Sequence, residues 1–566
     1  MQKEVTMNRY AIQHIVDSAY CFPVSPNEIV LRLRTAKDDI KKATVLYENK
    51  YVIGSRQQQA EMTKSYTSGL FDYFTIKLSL SDTRLGYVFY VNDGEKDFYF
   101  SEDGVTDTYD FSVGYYNFFQ YPYINKADIM EEVTWMKNAV FYQIFIDRFS
   151  QGNTDKDVTY INCKWGEIPK SKTFAGGDLK GITNKLEYLK NLGITAIYLT
   201  PLFQSFSNHK YDISDYMKVD HQFGSSEDLK ELIDKAHSMD MRIVLDAVFN
   251  HSSDHLVEFQ DVVMKGRASK YYDWFFIDGD KPVKSERNYE TFASCDYMPK
   301  FNTSKEEVQE FLIQIACYYI NEFHIDGWRL DVSDEVSHDF WRNFRKAVKK
   351  ANPEAVIIGE NWHDASSYLR GDQYDSIMNY AFTKGCLDFF AANDFNAEQF
   401  AYKLNDILMR NSDTVNSMML NLLDSHDTHR FYSMISEDKD KMKAALSLLF
   451  LFPGSPCIFY GTEILTPGGY DPDCRRCMDW EKAEKSDNDV AKLIKNLAKL
   501  RQQTNLNDGR VKIYAKEDIF ILTIDTQDTQ VKLLINNTVK TVMVEELLIS
   551  QHGFSIYVNG KLYESS

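Results

Sequence analysis

Residues 324–331 read His-Ile-Asp-Gly-Trp-Arg-Leu-Asp, an apolar and aromatic run that ends in a guanidinium and a carboxylate. Arg329 and Asp331 are two positions apart, and on a β-strand such residues project to the same face. The guanidinium would then lie beside the carboxylate and hold it ionised. A positioned, ionised carboxylate is what covalent group transfer needs as a nucleophile. The stretch therefore predicts a strand that ends in reactive chemistry.

The same strand-like pattern recurs from Ala139 onwards and alternates with amphipathic helices. The predicted strands are Phe141–Ile146, Ile194–Leu199, Arg242–Leu245, His324–Leu330, Ala355–Ile358, Met418–Leu423 and Pro456–Tyr460. One intervening helix is predicted to begin with a capping box at Ser304–Glu307, because apolar residues follow it at helical spacing. Such alternation implies parallel βαβ units, so the sequence predicts an α/β fold built on a (β/α)8 barrel.

The regions on either side of the barrel have a β-rich pattern, so three domains are predicted. Residues 1–124 contain alternating runs such as Glu28–Arg34 and predict an N-terminal β-sandwich. Residues 125–506 form the catalytic barrel, with an inserted loop subdomain at about 252–302 because this polar and aromatic stretch is too long for one helix. Residues 507–566 predict a C-terminal β-sandwich.

Composition and charge exclude several classes of protein. The chain has 566 residues and a net charge of −19, which argues against nucleic-acid and anionic-membrane partners. Met1–Tyr20 lacks the apolar core of a signal peptide, and the longest apolar run, Ala444–Phe452, is too short to span a membrane. Eight cysteines do not make a disulfide scaffold in so long a chain. A cytoplasmic enzyme with a neutral or small substrate is expected.

Four predicted strands end in acidic or basic groups, and in parallel barrels the chemistry lies at these C-terminal ends. The four segments are Asp246–His251, Arg329–Asp331, Ile358–His363 and Leu423–Arg430. One acidic residue after a strand is usually a helix cap, but four such segments in order are not expected by chance. Carboxylates gathered together repel, so one pKa should rise and supply a proton donor while Asp331 stays charged. Retaining glycoside hydrolysis requires that division of roles.

These four segments resemble the signature regions of the alpha-amylase superfamily, and the resemblance covers nearly the whole chain. The finer resemblance is to the neopullulanase, cyclomaltodextrinase and maltogenic amylase branch, because Met298–Asn302 is similar to its MPKLN segment, where oligo-1,6-glucosidases carry QPDLN. Other segments similar to the branch are Tyr142–Phe149, Ser207–Asp212 and Asp471–Arg476. The resemblance implies hydrolysis of α-1,4 and some α-1,6 glucosidic bonds in maltodextrins, cyclodextrins or pullulan, with a capacity for transglycosylation.

The resemblance also implies roles for individual residues. Asp331 is expected to be the nucleophile, Glu360 the general acid/base and Asp427 a carboxylate that binds sugar hydroxyls. The implied substrate-binding residues are Tyr211, Asp212, Asp246, His251, Arg329, Trp362, His426 and Arg430. Within this set, Tyr211 is expected to stack on the sugar and Asp212 to pair with Arg430. Trp362 is either an acceptor-side platform or part of the core.

No cofactor is expected to be required, and the calcium site often found in the branch is expected to be lost or weak. The aligned positions after the first barrel strand are Gln151, Asn153, Lys156 and Asp157, and the weak metal candidates are Asn153, Asp157, Gly176 and Asp178. Lys156 would place an ammonium where an oxygen ligand should be, and calcium takes only oxygen ligands. We expect the amine of Lys156 to replace the ion.

Three alternatives remain open at this stage. An exo-acting α-glucosidase or oligo-1,6-glucosidase is disfavoured by Met298–Asn302 and by the N-terminal domain. A non-catalytic glucan-binding relative would usually lack one of the three carboxylates, all of which are present. A third alternative is that the N-terminal sandwich itself binds carbohydrate. The branch resemblance implies a homodimer, in which this sandwich takes part.

Overall fold

The computed structural model describes residues 7–113, 117–485 and 488–566, which form a parallel barrel with a β-domain on either side. The predicted fold class is therefore confirmed. The first six residues of the segment searched for a signal peptide lie outside the described residues. In the part of the chain that the structure covers, no helix is long and apolar enough to cross a bilayer.

The N-terminal domain consists of two antiparallel sheets around a shared apolar core. One sheet contains Cys21–Ser25, Glu28–Ala36, Thr63–Thr67 and Phe71–Ser79; the other contains Lys42–Glu48, Gln58–Glu61, Leu85–Asn92, Asp97–Ser101, Gly104–Thr106 and Phe119–Tyr121. In Glu28–Ala36 the residues on the predicted apolar face, Ile29, Leu31 and Leu33, are fully buried, but Val30 on the other face is also buried. Arg32 is buried as well, because its guanidinium crosses to the barrel domain, donates to Asn411 O at 2.6 Å and pairs with Asp413.

Eight parallel strands form the barrel. They are β1 (Phe141–Ile144), β2 (Ala196–Leu199), β3 (Arg242–Ala247), β4 (Gly327–Leu330), β5 (Val356–Gly359), β6 (Ser376–Ile377), β7 (Leu420–Leu422) and β8 (Ser455–Phe459). Neighbours pair in the order β6-β5-β4-β3-β2-β1-β8-β7, and a parallel bridge between Met378 and Leu420 closes the ring. Seven strands lie where the sequence predicted them. The two residues of β6 are too few to show a periodic pattern.

Helices surround the barrel; several bury one apolar face, whereas Lys439–Leu451 is buried on almost all sides. The α-helices are Thr134–Asn138, Ile146–Phe149, Leu179–Asn184, Leu186–Leu192, Ser226–Ser238, Val257–Lys265, Glu306–Phe323, His338–Ala351, Tyr380–Cys386, Ala397–Met409, Asp413–Met418, Phe431–Met434, Lys439–Leu451, Trp480–Ala483 and Asp489–Thr504. In His338–Ala351 the buried residues are Phe340, Trp341, Phe344 and Val348, at helical spacing.

The predicted capping box at Ser304–Glu307 is wrong. The helix begins at Glu306, and its N-cap residue Lys305 makes no side-chain capping bond. A turn closed by the bond from Lys305 N to Asn302 O at 3.0 Å precedes the helix and moves its start. The two glutamates that follow lie in the first turn, where carboxylates interact favourably with the helix dipole.

Long connections after β1, β2 and β3 build the walls above the barrel. Residues 150–178 are irregular, and Phe203–Ser205 pairs with Ile213–Val219 in a small ribbon. The connection after β3 is held by antiparallel bridges, including those of His251 with Lys300 and Phe275 with Phe301. These connections leave the C-terminal ends of the strands, where a site is expected.

The C-terminal domain is a five-stranded antiparallel sheet with a separate two-stranded ribbon. The sheet contains Arg510–Lys516, Ile519–Asp525, Gln530–Ile535, Phe554–Val558 and Lys561–Ser565, and the ribbon contains Val542–Val544 and Leu547–Ile549. The sheet packs on the barrel helix Ala397–Met409, where the rings of Phe400 and Phe520 are 5.1 Å apart. Asn405 of the same helix donates to Ile513 O at 3.0 Å.

Candidate active site

The pairing of β3, β4 and β5 brings their terminal carboxylates to one level of the barrel. Asp246 at the end of β3 lies opposite Arg329 of β4. The N–H of Asp331 donates to a β3 carbonyl at 3.0 Å, and the N–H of Glu360 donates to a β4 carbonyl at 2.9 Å. The parallel ladder thus continues past the last residue of each strand and places Asp331 and Glu360 on neighbouring strands at the same height.

A single guanidinium joins the carboxylates of this cluster. Arg329 Nη1 lies 2.9 Å from Asp331 Oδ1 and 3.0 Å from both carboxylate oxygens of Asp246. Its Nη2 lies 2.9 Å from Glu360 Oε2. Arg329 is completely buried. One cation therefore faces three carboxylates, so the negative charge of this cluster is only partly neutralised.

The backbone after β4 is strained in a way that positions Glu360. Val332 has a φ of +45°, which is unfavourable for a β-branched residue. In this conformation its N–H donates to Glu360 Oε2 at 2.9 Å. The hydroxyl of Ser333 donates to the backbone carbonyl of Glu360 at 2.6 Å. The two bonds fix both the side chain and the backbone of Glu360.

Burial and mutual repulsion set the protonation of the cluster. Burial raises the pKa of Asp331 and of Glu360, and neighbouring carboxylates raise both pKa values further against the opposing effect of Arg329. Burial also raises the pKa of Asp246 to about 6. Arg329 was expected to hold Asp331 ionised, and it does oppose the rise in the pKa of Asp331, but one guanidinium is shared among three carboxylates and does not cancel that rise. Glu360, the residue expected to be the proton donor, has a raised pKa.

The segment after β7 closes the cluster from the other side. His426 Nε2 lies 3.2 Å from Asp427 Oδ2 and 2.5 Å from the hydroxyl of Tyr211. Burial lowers the pKa of His426, so the ring is neutral. The amide nitrogen of Gln143 lies 2.7 Å from His426 Nδ1 and donates to it, which leaves the ring proton on Nε2. Burial raises the pKa of Asp427 as well.

Among the buried polar atoms in this region that lack a hydrogen-bond partner in the described residues are Gln143 Oε1 and His251 Nε2. Burial lowers the pKa of His251 to about 3, so its ring is neutral. Such atoms suit the hydroxyl groups of an uncharged ligand, which would satisfy them on binding. Gln143 was not among the expected site residues. Its signal was a lone polar side chain inside the apolar strand β1.

The predicted pair between Asp212 and Arg430 does not form. Asp212 accepts a hydrogen bond from the hydroxyl of Ser205 at 2.6 Å. Arg430 is buried and donates to the carbonyls of Tyr460 and Cys474 at 2.7 Å each. The guanidinium of Arg430 thus binds backbone carbonyls and not the carboxylate of Asp212, so the prediction of this ion pair is wrong.

Arg475 is the arginine that reaches Asp427. Its Nη2 lies 3.4 Å from Asp427 Oδ1, its Nη1 lies 2.9 Å from Asp471 Oδ1, and its Nε donates to the carbonyl of His426 at 2.8 Å. Arg475 belongs to the Asp471–Arg476 segment but was not among the expected site residues. Because Arg476 is adjacent to it, spacing alone could not tell which guanidinium turns towards the cleft.

Trp362 lies at the mouth of the site and outside the core. Its ring is parallel to that of Tyr380, with centroids 3.7 Å apart, and it is 44% exposed. Its indole N–H donates to Glu360 Oε1 at 3.3 Å. One face of Trp362 is thus supported by a buried tyrosine while the side chain stays accessible, an arrangement suited to stacking a ligand.

The ammonium of Lys156 lies among the oxygen atoms of the weak calcium site suggested by the sequence, and these oxygens form a cage around it. Its Nζ lies 2.5 Å from Gly176 O, 2.8 Å from Asp178 Oδ2 and 3.2 Å from Gln222 O. Asp178 also caps a helix by accepting the N–H of Gly181 at 2.7 Å. A cation cannot share this cage with an ammonium, so the residues present do not fit calcium here.

The two other metal candidates use their oxygens within their own loop. Asn153 Oδ1 accepts the N–H of Asp155 at 3.0 Å, and Asp157 Oδ1 accepts the N–H of Thr159 at 2.8 Å. In the residues that the structure describes, no group of three or more His, Cys, Asp or Glu side chains is arranged to hold a metal ion.

Comparison with known proteins places this geometry in a family. The alpha amylase catalytic domain matches residues 143–509, and the alpha amylase N-terminal Ig-like domain matches residues 7–125. The cyclomaltodextrinase of Thermoanaerobacter pseudethanolicus is 41% identical over 543 residues, covering 95% of this chain and 94% of that protein. Neopullulanase 2 of Thermoactinomyces vulgaris is 40% identical over 538 residues, covering 93% and 91%. A solved cyclomaltodextrinase superposes with a TM-score of 0.90 at 38% identity, covering 95% of this chain and 93% of that one.

Proposed function

The chain belongs to the alpha-amylase family of glycoside hydrolases, and from this premise we propose that Asp331, Glu360 and Asp427 hydrolyse α-glucosidic bonds with retention of configuration. The observation that carries the proposal is the buried guanidinium of Arg329, which contacts Asp246, Asp331 and Glu360 at 2.9–3.0 Å. A retaining mechanism needs two carboxylates close together on either side of one bond.

In the first step Glu360 donates its proton to the glycosidic oxygen while Asp331 attacks the anomeric carbon. The bond to the leaving sugar breaks, and a covalent β-glycosyl ester forms on Asp331. The raised pKa of Glu360 keeps its proton available for donation. As the ester forms, the negative charge on Asp331 disappears, which relieves repulsion within the cluster.

In the second step Glu360 acts as the base and takes a proton from water. The water oxygen attacks the anomeric carbon, the ester bond breaks, and the product leaves with the α-configuration restored. If a sugar hydroxyl takes the place of water, the same step makes a new glycosidic bond. We propose that the exposed ring of Trp362 stacks the acceptor sugar and so favours transglycosylation.

The remaining polar groups bind the sugar at the cleaved bond. Asp427 and the Nε2–H of His426 bind its hydroxyls, and the partnerless atoms Gln143 Oε1 and His251 Nε2 take others. The ring of Tyr211, parallel to that of His426, supports the face of the sugar. All of these groups except the carboxylate are neutral, which suits an uncharged glucan.

The proposed substrates are maltodextrins, cyclodextrins and pullulan, with α-1,4 bonds cleaved and some α-1,6 bonds as well. The names of the relatives and the Met298–Asn302 segment support this over an exo-acting α-glucosidase. Product analysis on cyclodextrin separates the two, because a ring has no chain end for an exo-acting enzyme. We further propose a homodimer that involves the N-terminal domain, and a cytoplasmic location supported by eight free cysteines.

The direct test is the hydrolysis of maltodextrin by the variants Asp331→Asn and Glu360→Gln. Each should lower kcat by about 10³-fold or more, because the first removes the nucleophile and the second removes the proton donor. Near-normal turnover by either variant would refute the assignment.

Asp326→Asn is a matched control for this test. Asp326 immediately precedes β4, at the end opposite Asp331, where it binds His237 and Arg242. The substitution changes a buried carboxylate in the same way without touching the cluster. We expect it to keep kcat within about two-fold of the parent even if it lowers the melting temperature, because electrostatic effects on the reaction act at close range.

A further inference from the structure

A large cavity lies on the flank of the barrel, between the connections that follow β1 and β8. Its volume is about 640 Å³, within the range of small-molecule sites. Trp165 and Trp480 both line it. No residue of the carboxylate cluster takes part in its walls. The cavity is therefore separate from the cleft, although the connections that form it leave the same end of the barrel.

Both tryptophans are held in fixed orientations by their indole N–H groups. Trp165 donates to Met478 O at 2.9 Å, and Trp480 donates to Phe149 O at 2.7 Å. Trp480 also packs against the ammonium of Lys185, which lies 4.1 Å from its ring centre. No aromatic ring or cation of the described chain covers Trp165. Rings that are already ordered lose little entropy when a ligand stacks on them.

The charged groups around the cavity are nearly balanced. They comprise Lys185, Arg476 and Lys482 on the cationic side and Asp479 and Glu481 on the anionic side. Arg476 is paired with Asp473 at 2.7 Å, and Lys185 is paired with Glu484 at 2.6 Å. The cavity therefore has no concentration of positive charge that would select phosphate or another anion. Its chemistry suits an uncharged ligand with an apolar face and many hydroxyls.

One wall of the cavity is continuous with the cleft. The segment 475–478 contributes Arg475 to the cleft, where it contacts Asp427, and contributes the carbonyl of Met478 to Trp165. Arg148 holds this segment in place. Its guanidinium donates to Arg475 O at 3.2 Å, and its backbone carbonyl accepts the N–H of Met478 at 2.9 Å. A ligand held at the cavity would thus lie one short segment from the part of the cleft that contains Asp427.

We propose that this cavity is a second α-glucan-binding site, in which Trp165 provides the stacking surface and Trp480, Glu481 and Lys482 complete the walls. The identity of the ligand rests on the proposed function, because a glucan is the neutral polyhydroxylated molecule that the cleft would act on. The site holds a distant part of a long glucan, or a second molecule, while the cleft cleaves a bond.

Calorimetry with maltoheptaose on the Asp331→Asn chain tests the proposal, because this variant should bind without consuming the ligand. We expect two sites per chain. Adding Trp165→Ala should weaken one of them by about ten-fold or more, whereas Trp165→Phe, which keeps a ring, should retain both. Trp135→Ala is the matched control, because Trp135 is a tryptophan outside the cavity whose N–H also donates to a backbone carbonyl, that of Glu354. It should leave both sites intact.

Kinetics separate this inference from the proposed function. In a chain with all its carboxylates, Trp165→Ala should raise KM for soluble starch several-fold and leave kcat/KM for maltotriose unchanged. If the parent chain hydrolyses no α-glucan, the proposed function fails. If the parent hydrolyses glucan but Trp165→Ala matches it in binding and in both KM values, only the second site is overturned.

A crystal of the Asp331→Asn chain soaked in maltoheptaose gives an answer that does not depend on how well Trp165→Ala folds. Sugar density against Trp165 supports the proposal. Density in the cleft alone, with no sugar at Trp165, overturns it. Binding of inorganic phosphate in the cavity in preference to maltoheptaose would also overturn it, since the walls would then select charge.

Discussion

Two buried cations at the same end of the barrel have opposite surroundings. Arg329 contacts three carboxylates at the ends of β3, β4 and β5, and burial raises the pKa of each of them. Lys156 contacts one carboxylate, that of Asp178, and two backbone carbonyls. The first centre has more negative than positive charge, and the second is balanced.

The first centre has the charge balance that catalysis requires, whereas the second stabilises the fold. An under-neutralised cluster holds carboxylates whose protons can move, which acid–base and nucleophilic catalysis require. A balanced pair with its remaining bonds satisfied holds segments together and has no proton to exchange. Lys156 joins the connection after β1 to the segment that contains Gln222, much as a metal ion would. Five substitutions break or sharpen this contrast, and the largest effect should come from Arg329.

Arg329→Lys should lower kcat/KM by about 10³-fold, even though it keeps the positive charge. A lysine has one nitrogen, so it cannot contact Asp331 through one atom and Glu360 through another as the guanidinium does. Steady-state kinetics on maltodextrin measure the loss. Arg501→Lys is the control, because Arg501 is buried against backbone carbonyls only; it should lower the melting temperature and leave kcat unchanged. Equal kinetic losses in the two variants would contradict the proposal that catalysis depends on the contacts of Arg329 with the carboxylates.

Lys156→Met should destabilise the fold by about 3 kcal/mol, because it leaves the carboxylate of Asp178 buried without its cation. Chemical denaturation measures the effect. Lys180→Met is the matched control, because Lys180 pairs with Glu231 at the surface, where such pairs contribute about 1 kcal/mol or less. A loss no larger than that of the control would show that Lys156 does not support the loop.

Calcium binding tests whether the ammonium of Lys156 occupies the place of a metal ion. The parent chain should show no heat of binding for calcium at this cage, and a chelator should leave its melting temperature unchanged. Lys156→Asn replaces the ammonium with an amide oxygen, so calcium should raise the melting temperature of that variant. Tight calcium binding by the parent, lost in a variant of Asp178, would overturn this interpretation.

Glu360→Gln should raise the melting temperature, and by more at pH 8 than at pH 5. Burial raises the folded-state pKa of Glu360 above its unfolded value. As pH rises from the unfolded pKa through the folded one, ionisation therefore destabilises the parent, and the variant escapes this penalty. Glu187→Gln, a substitution of an exposed helix residue, is the control and should show no such pH trend. A variant less stable than the parent at pH 8 would contradict the pKa direction.

Trp362→Phe should produce the smallest effect, a shift of the alkaline limb of the kcat/KM profile to higher pH. The indole N–H donates to Glu360 Oε1 at 3.3 Å and stabilises the ionised form, which lowers the pKa of Glu360. Phenylalanine keeps the stacking ring but loses the donor, so the pKa of the acid should rise and the protonated form should persist to higher pH. A shift to lower pH would contradict this.

Much of the architecture followed from local patterns in the sequence. Seven barrel strands and the two β-domains were predicted because apolar periodicity records which face of each element is buried. The same pattern predicted which segments end strands, and hence that Asp331 and Glu360 would lie at one end of the barrel. The resemblance to the branch led to the expectation that the amine of Lys156 takes the place of calcium, because the aligned positions include this lysine.

Contacts between distant segments could not be predicted in this way. Spacing did not show that Arg475 rather than Arg476 reaches Asp427, since that depends on how the connection after β8 packs over β7. The raised pKa of Asp331 depends on how many carboxylates share Arg329, and the neutral ring of His426 depends on burial. The cavity between Trp165 and Trp480 joins residues more than 300 positions apart. The sequence determined which groups end each strand, because that information is local; the tertiary structure decided their partners and protonation, because charge and burial are shared across segments.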